Sequence, residues 1–252
     1  MPLAAPGRSA DAAYASAPQS VLLLFDIDGT LLLRAHVEHR LALADAVREV
    51  WRVADPGGAA VPAAGRTDGE IARHICVLGG VDATRFDAGA DDFRAACAAA
   101  YARRCPPDLR DRLAPGVPEA LAELAARGGR DGFMLSLVTG NLEAIARLKL
   151  DRAGLGGWFP AGQGGFGSDA EDRTELPAIA RRRAGALDGG APYPRERTVV
   201  IGDTPRDIAC ARADGVRCVA VATGPYRAEE LAAADAVARG AHELPALLLG
   251  AG

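Results

Sequence analysis

The sequence predicts an α/β protein: a doubly wound, Rossmann-like parallel sheet with an inserted all-helical domain. Three observations carry that prediction. Continuous apolar runs of strand length recur along the chain. Each is followed by a stretch with helical spacing. Between the first run and the second, residues 34–113 hold no convincing strand.

The elements follow in order. Residues 1–20 are rich in Ala, Pro, Ser and Gly, interrupted by Arg8 and Asp11. They lack the apolar core of a secretory signal and read as a disordered tail. Val21-Leu-Leu-Leu-Phe25 is the first strand. An unbroken apolar run suits a strand buried on both faces, as in parallel sheets. His36–Val53 is a helix candidate. Thr67-x-x-Glu70 has the form of a capping box and opens a helix with Ile71, Ile75 and Leu78 on one face, stopped by Gly79-Gly80. Asp91–Arg104 is another helix, ended by Pro106-Pro107. Val117, Leu121 and Leu124 make a helical stripe closed by Gly128-Gly129.

The strand-helix rhythm then resumes. Phe133–Val138 is a strand, with Asn141 as helix cap and Leu142, Ile145 and Leu148 on one face. Thr198–Ile201 is a strand, with Thr204 as cap, Pro205 in the first helical position and Gly215 as stop. Arg217–Val221 is a strand again. Residues 21–33 and 114–252 therefore form an α/β core domain, and residues 34–113 a helical cap domain. An insert after the first strand sits above the carboxyl ends of the strands, where such sheets bind ligands.

Composition narrows the function classes. The 252 residues carry 29 basic and 33 acidic side chains, a net charge of −4, with 49% hydrophobic and 25% charged residues. This is the composition of a globular domain. No apolar run approaches the ~20 residues that span a bilayer. There is no basic excess, and aromatics are 5%, so neither a phosphate-backbone footprint nor a base-stacking platform is expected. Nucleic acid and membrane are thus excluded as expected partners. Five cysteines, Cys76, Cys97, Cys105, Cys210 and Cys218, show no metal-site spacing and read as buried thiols of a reducing cytoplasm. Lys149 is the sole lysine among 29 basic residues. The low aromatic content favours a monomer or small homo-oligomer.

Chemistry concentrates in Phe25-Asp26-Ile27-Asp28-Gly29-Thr30-Leu31-Leu32. Two carboxylates two residues apart end a buried strand, where a simple turn former has no need of the pair. Asp203 likewise follows Gly202 at a buried strand end. The stretch Asp26 to Leu31 resembles the D-x-D-G-T-L signature of the haloacid dehalogenase superfamily. Leu137-Val138-Thr139-Gly140-Asn141 fits the second motif, and Ile201-Gly202-Asp203-Thr204-Pro205-Arg206-Asp207 fits the G-D-x-x-x-D acidic motif. The third motif, commonly a lysine before proline, is replaced by a stretch from Gly167 to Leu176 that contains Arg173. The resemblance covers roughly residues 21–237, and its phosphoglycolate-phosphatase-like branch has a small helical cap.

The resemblance implies a set of roles. Asp26 would be the nucleophile that forms an aspartyl-phosphate, and Asp28 the general acid/base. Thr139 would bind phosphate oxygens or cap the next helix. Gly29, Thr30, Gly140 and Asn141 would line the phosphate. A phosphate ester is dianionic near neutral pH, so an anionic nucleophile needs screening, and Mg²⁺ prefers oxygen ligands. Asp26 and Asp203, on strands expected to be adjacent, would share that ion. Asp28 would add its main-chain carbonyl, and Asp207 would be a further ligand or simply the acidic half of a capping box. Arg173 would neutralise the phosphate. Lys149 is the other basic candidate, but eight residues past Asn141 amounts to about 12 Å along a helix and carries it away from the strand ends. In the insert, Arg66 and Thr67 would contact the leaving group. His36, His39, His74 and His242 read as surface or packing residues.

Within the superfamily, Asp28 argues against a dehalogenase, because halide departs without a proton. A cap without lysine cannot form the Schiff base of a phosphonatase. A pumping ATPase would need a membrane domain. The expected function is a Mg²⁺-dependent phosphatase acting on a small phosphorylated metabolite. A sugar-phosphate mutase and a non-catalytic phosphate-binding regulator are the alternatives.

Overall fold

The computed structural model describes residues 20–57, 61–126, 132–187 and 190–249. Most of the expected N-terminal tail and the Gly128-Gly129 helix stop lie outside them. The elements in chain order are β1 (Val21–Phe25), α1 (His36–Trp51), α2 (Asp68–Leu78), α3 (Ala83–Ala88), α4 (Ala90–Arg104) and α5 (Val117–Ala126). They continue with β2 (Phe133–Thr139), α6 (Glu143–Arg152), β3 (Gly165–Phe166), α7 (Leu176–Ala186) and β4 (Thr198–Gly202). The last are α8 (Pro205–Asp214), β5 (Arg217–Val221), β6 (Ala236–Ala238) and α9 (Leu244–Leu249).

The described strands form one sheet in the order β3-β2-β1-β4-β5-β6, every pair parallel. Period-2 alternation explains why β1 is apolar throughout. Leu22 and Leu24 pack with Leu176, Ala180 and Ala211 on one face, whereas Leu23 and Phe25 pack with Leu121, Leu142 and Ile145 on the other. β1 lies between β2 and β4, in register Phe25↔Leu137 and Phe25↔Ile201. The strand ends that carry Asp26, Thr139 and Asp203 therefore meet at the centre of one sheet edge, the expected place for a ligand.

After Leu33 the chain leaves the sheet for four helices and returns at Leu113. The outgoing and returning passages pair, Leu33 N donating to Arg112 O at 2.7 Å and Ala114 N to Leu31 O at 3.0 Å. Inside the insert, α1 lies on α4, and Trp51 stacks on Phe86 with ring centroids 4.6 Å apart. No described helix is long and apolar enough to cross a membrane. All five cysteines are buried and free.

Most elements match the sequence expectation, and the differences have physical reasons. α1 ends at Trp51 because Arg52 adopts a left-handed φ of 61°. Leu78, expected on the buried face of α2, is 69% exposed, since the helix stops one residue later at Gly79. Asn141 does not cap α6. The first turn of α6 is capped from outside, by Asp68 Oδ2 accepting from Leu142 N at 2.8 Å and Ser168 Oγ from Glu143 N at 3.2 Å. The expected apolar stripe of Leu142, Ile145 and Leu148 is replaced in α6 itself by Ile145, Ala146, Lys149 and Leu150.

Candidate active site

Two rows of side chains build the site at the carboxyl end of the sheet. The front row faces a cavity of about 990 Å³ between sheet and insert, and contains Asp26, Asp28, Asn141, Arg173 and Asp203, with Gly29 and Gly140. The back row holds the front one in place.

Asp26 extends β1, its N–H donating to Ile201 O at 2.8 Å. Arg173, in a single 3₁₀ turn ahead of α7, places its guanidinium 3.3 Å from Asp26 Oδ2 and donates to Asp207 Oδ1. Asp207 is wholly buried at the start of α8, where Thr204 and Asp207 form a reciprocal capping box. Its Oδ2 accepts from Thr204 N at 2.9 Å and Oγ1 at 2.7 Å. Asp207 thus fills the capping-box reading of the sequence, and it also aims Arg173 at Asp26. The Arg173 Nε is buried and has no partner among the described residues.

Asp203 closes the far side. Thr30 is almost fully buried behind it and donates its hydroxyl to Asp203 Oδ1 at 3.1 Å. Thr30 therefore orients Asp203 and does not face the cavity. Gly29 is required here: its φ is +91°, and a Cβ would lie 2.1 Å from Asp203 Oδ2. Thr139 is also in the back row, with its Oγ1 accepting from Asn141 Nδ2 at 3.0 Å.

Asp28 stands apart. Its Oδ2 accepts from Asn141 Nδ2 at 2.9 Å and from Lys149 Nζ at 2.5 Å. This corrects the sequence argument about Lys149. The rise along α6 is right, but helical side chains lean toward the N-terminus, and the four-carbon stem brings the ammonium back to the strand ends. Arg173 and Lys149 are both at the site, serving different carboxylates. A legible signal existed: Lys149 lies four residues after Ile145, a charge on an apolar stripe.

The insert reaches the core through residues 65–73. Asp68 N donates to Gly140 O at 2.8 Å, and a Cβ on Gly140 would meet Arg66 O at 2.0 Å, so only glycine allows the two loops this close. Thr67 Oγ1 accepts from Glu70 N and donates to Glu171 O at 2.6 Å. Thr67 is fully buried in that contact and absent from the cavity wall, against the expectation that it touches substrate. Arg66 does line the cavity, paired with Glu70. Sequence reasoning missed His39 and Asp68, which are buried and bonded at 3.0 Å, and His36, which is exposed at the cavity wall.

The electrostatics divide the acids into two kinds. Burial raises Asp26 to about 6 despite the pull of Arg173, with repulsion from Asp207 and Asp28 adding to it. Burial, reinforced by Asp26 and Asp207, raises Asp203 to about 8. Burial is the largest influence on Asp28 and works against its charge, but Lys149, His39 and Asn141 together outweigh it and hold that carboxyl below its ordinary range.

Asp26, Asp203 and Asp207 each offer a carboxylate oxygen, all within 4.8 Å of one another. Crowded hard oxygens, with Asp26 and Asp203 raised in proton affinity, are what a divalent cation relieves, so the residues fit Mg²⁺. Asp26 and Asp203 are the better placed, because both oxygens of Asp207 already accept hydrogen bonds. The Asp28 carboxylate turns to Lys149 and Asn141 through Oδ2 and is not part of that cluster.

Residues 23–212 match the model of the haloacid dehalogenase-like hydrolase family. The chain belongs to that family. It is 30% identical over 122 residues to "Probable phosphatase IndB" of Dickeya dadantii (strain 3937), a match spanning 48% of this chain and 48% of that protein, so about half its length. Among solved structures, a "predicted phosphatase" from Clostridium acetobutylicum aligns with a TM-score of 0.63 at 16% identity, covering 92% of this chain and 99% of that one. A "predicted phosphoglycolate phosphatase" from Haemophilus somnus 129pt aligns with a TM-score of 0.60 at 20% identity, covering 91% and 98%. CbbY from Rhodobacter sphaeroides, solved in complex with phosphate, aligns with a TM-score of 0.57 at 22% identity, covering 89% and 96%. At these identities the solved structures speak to the fold.

Proposed function

We propose that this haloacid dehalogenase-like hydrolase is a Mg²⁺-dependent phosphomonoesterase that works through an aspartyl-phosphate at Asp26. The observation that carries the reading is Asp28. It faces the same cavity as Asp26, and its Oδ1 is buried with no partner among the described residues. A second carboxylate on the cavity that holds the nucleophile serves a leaving group that needs a proton, as an alkoxide does and a halide does not.

In the first step an Asp26 oxygen attacks phosphorus and the ester P–O bond breaks, its electron pair passing to the leaving oxygen. Asp28, which must first take up a proton against the pull of Lys149, donates that proton to the leaving oxygen. In the second step Asp28 takes a proton from water, the water oxygen attacks phosphorus, and the Asp26 carboxylate departs. Arg173 neutralises Asp26 and the incoming phosphoryl oxygens. Asn141, fixed by Thr139, holds Asp28 from the core side. Bound Mg²⁺, held by Asp26, Asp203 and the Asp28 carbonyl, would screen nucleophile from phosphate and act as Lewis acid.

The cavity bears on the leaving group. About 990 Å³ is more than a two-carbon acid needs, and Leu33, Leu43, Ile71 and Ile75 line it with Arg40 and Arg66. That lining favours a larger organic phosphate with an apolar body and a polar or anionic end. Solved relatives of this fold carry both phosphatase and phosphoglucomutase names, so the assay must read the product. Phosphate release from a panel of phosphomonoesters is measured with and without Mg²⁺, for wild type and Asp26→Asn. Metal-dependent release lost in the variant supports the reading. Release that survives chelation or the substitution sinks it, and isomerised ester without free phosphate indicates the mutase.

A further inference from the structure

Lys149 is wholly buried on α6. Burying an ammonium is costly unless it is fully paired, and a leucine there would simply extend the apolar stripe. Its surroundings supply the pairing. The three ammonium hydrogens meet three acceptors: Asp28 Oδ2 at 2.5 Å, Asn141 Oδ1 at 2.7 Å and His39 Nδ1 at 3.2 Å. The donor count fixes the imidazole. Nδ1 accepts, so Nε2–H donates to Asp68 Oδ2 at 3.0 Å. That same Asp68 oxygen accepts from Leu142 N of the core at 2.8 Å. Tyr101 of α4 covers the group, its ring centroid 5.8 Å from Nζ and 5.5 Å from the His39 ring. Asp28, Asn141 and Lys149 belong to the core, and His39 and Asp68 to the insert.

We propose that Lys149 is the positioning residue of Asp28 and, through His39 and Asp68, locks that carboxylate to the helical insert. Two donors on Oδ2 prevent the carboxylate from rotating and leave Oδ1 without a partner among the described residues. Moving the insert off the core parts His39 from Lys149, so the setting of Asp28 and the seating of the insert are one event. The catalytic half of this inference rests on the phosphatase reading, whereas the structural link does not.

The sole lysine makes the test direct. Lysine-selective ¹⁵N NMR of the full chain shows one side-chain ammonium. A slowly exchanging signal that moves in both Asp28→Asn and His39→Phe is expected. A freely exchanging signal, or one that neither variant moves, overturns the link, whatever the enzyme does. The second arm compares Lys149→Met with wild type in the first-turnover release of leaving group from an alkyl phosphate and from p-nitrophenyl phosphate. Positioning of an acid predicts a loss of about 10²-fold for the alkyl ester, with KM nearly unchanged. The nitrophenolate needs no proton, so its loss stays below about tenfold. Equal losses on both esters mean a purely structural role and overturn the positioning. If Lys149→Met does not fold, His39→Phe carries the same comparison with a smaller loss. If wild type cleaves neither ester, the phosphatase reading fails and the NMR arm alone decides the link.

Discussion

Asp26 and Asp28 are two residues apart, yet they occupy opposite electrostatic worlds. Asp26 shares a buried corner with Asp203 and Asp207; burial, with repulsion from Asp207 and Asp28, raises Asp26, and burial, with repulsion from Asp26 and Asp207, raises Asp203. Asp28 turns the other way, onto a lysine, and is lowered. The turn that separates them is made by main-chain bonds. Thr30, Leu31 and Leu32 N–H groups all converge on Ile27 O. One tight loop thus delivers one carboxylate to a cation-hungry corner and the other to a cation the protein itself supplies. The lesson is that a short acidic motif is better read by the partners each acid meets than by the spacing alone.

The largest test of this contrast is Asp26→Asn, which keeps the shape and removes the proposed nucleophile. Turnover should fall by about 10⁴-fold or more, with circular dichroism and Tm close to wild type. Asp28→Asn comes next. It should cost about 10²- to 10⁴-fold on alkyl phosphates and much less in leaving-group release from p-nitrophenyl phosphate. Equal losses would erase the division of labour between the two acids. Arg173→Ala should cost about 10²-fold in kcat/KM. It should also lower Tm, since it leaves Asp207 buried without its cation. A variant with unchanged kinetics would mean that Arg173 only caps the Asp207 network.

The smallest expected effect is on stability. Asp26 and Asp203 bind protons more tightly folded than unfolded, so between about pH 4 and 8 the native state holds more protons. Metal-free protein should therefore lose stability as pH rises through that window. Mg²⁺ competes with those protons, so its stabilisation should be larger at pH 8 than at pH 5. Thermal melts with chelator and with Mg²⁺ measure both. A metal-induced rise in Tm that is equal at the two pH values would contradict the corner's role.

Much of the fold was legible because burial on both faces writes itself as unbroken apolar runs. β1, β2, β4 and β5 stand within a residue of their expected spans. β3 and β6 left no such mark: one is two residues long, and the other is Ala-Val-Ala at the sheet edge. α3 escaped because six residues give no periodicity, although Asp82 caps it by accepting from Arg85 N. At the site, Asp26, Asp28, Arg173 and Asp203 were found from strand ends and helix starts. Thr30 and Thr139 were assigned to the phosphate, yet they stand one layer behind, holding Asp203 and Asn141. Lys149, His39 and Asp68 were missed because their meeting depends on how the insert docks. Linear spacing says nothing of that.

The most direct measurement is to trap the acyl phosphate. Asp28→Asn, which lacks the group proposed to activate water, is mixed with p-nitrophenyl phosphate and Mg²⁺ and quenched with borohydride. The peptide that spans Asp26 is then sequenced by mass spectrometry. Reduction at Asp26 to homoserine, absent when Asp26→Asn is added to the variant, is the predicted result. Nitrophenol released with no reducible acyl phosphate at Asp26, or with reduction at another carboxylate, would contradict the account.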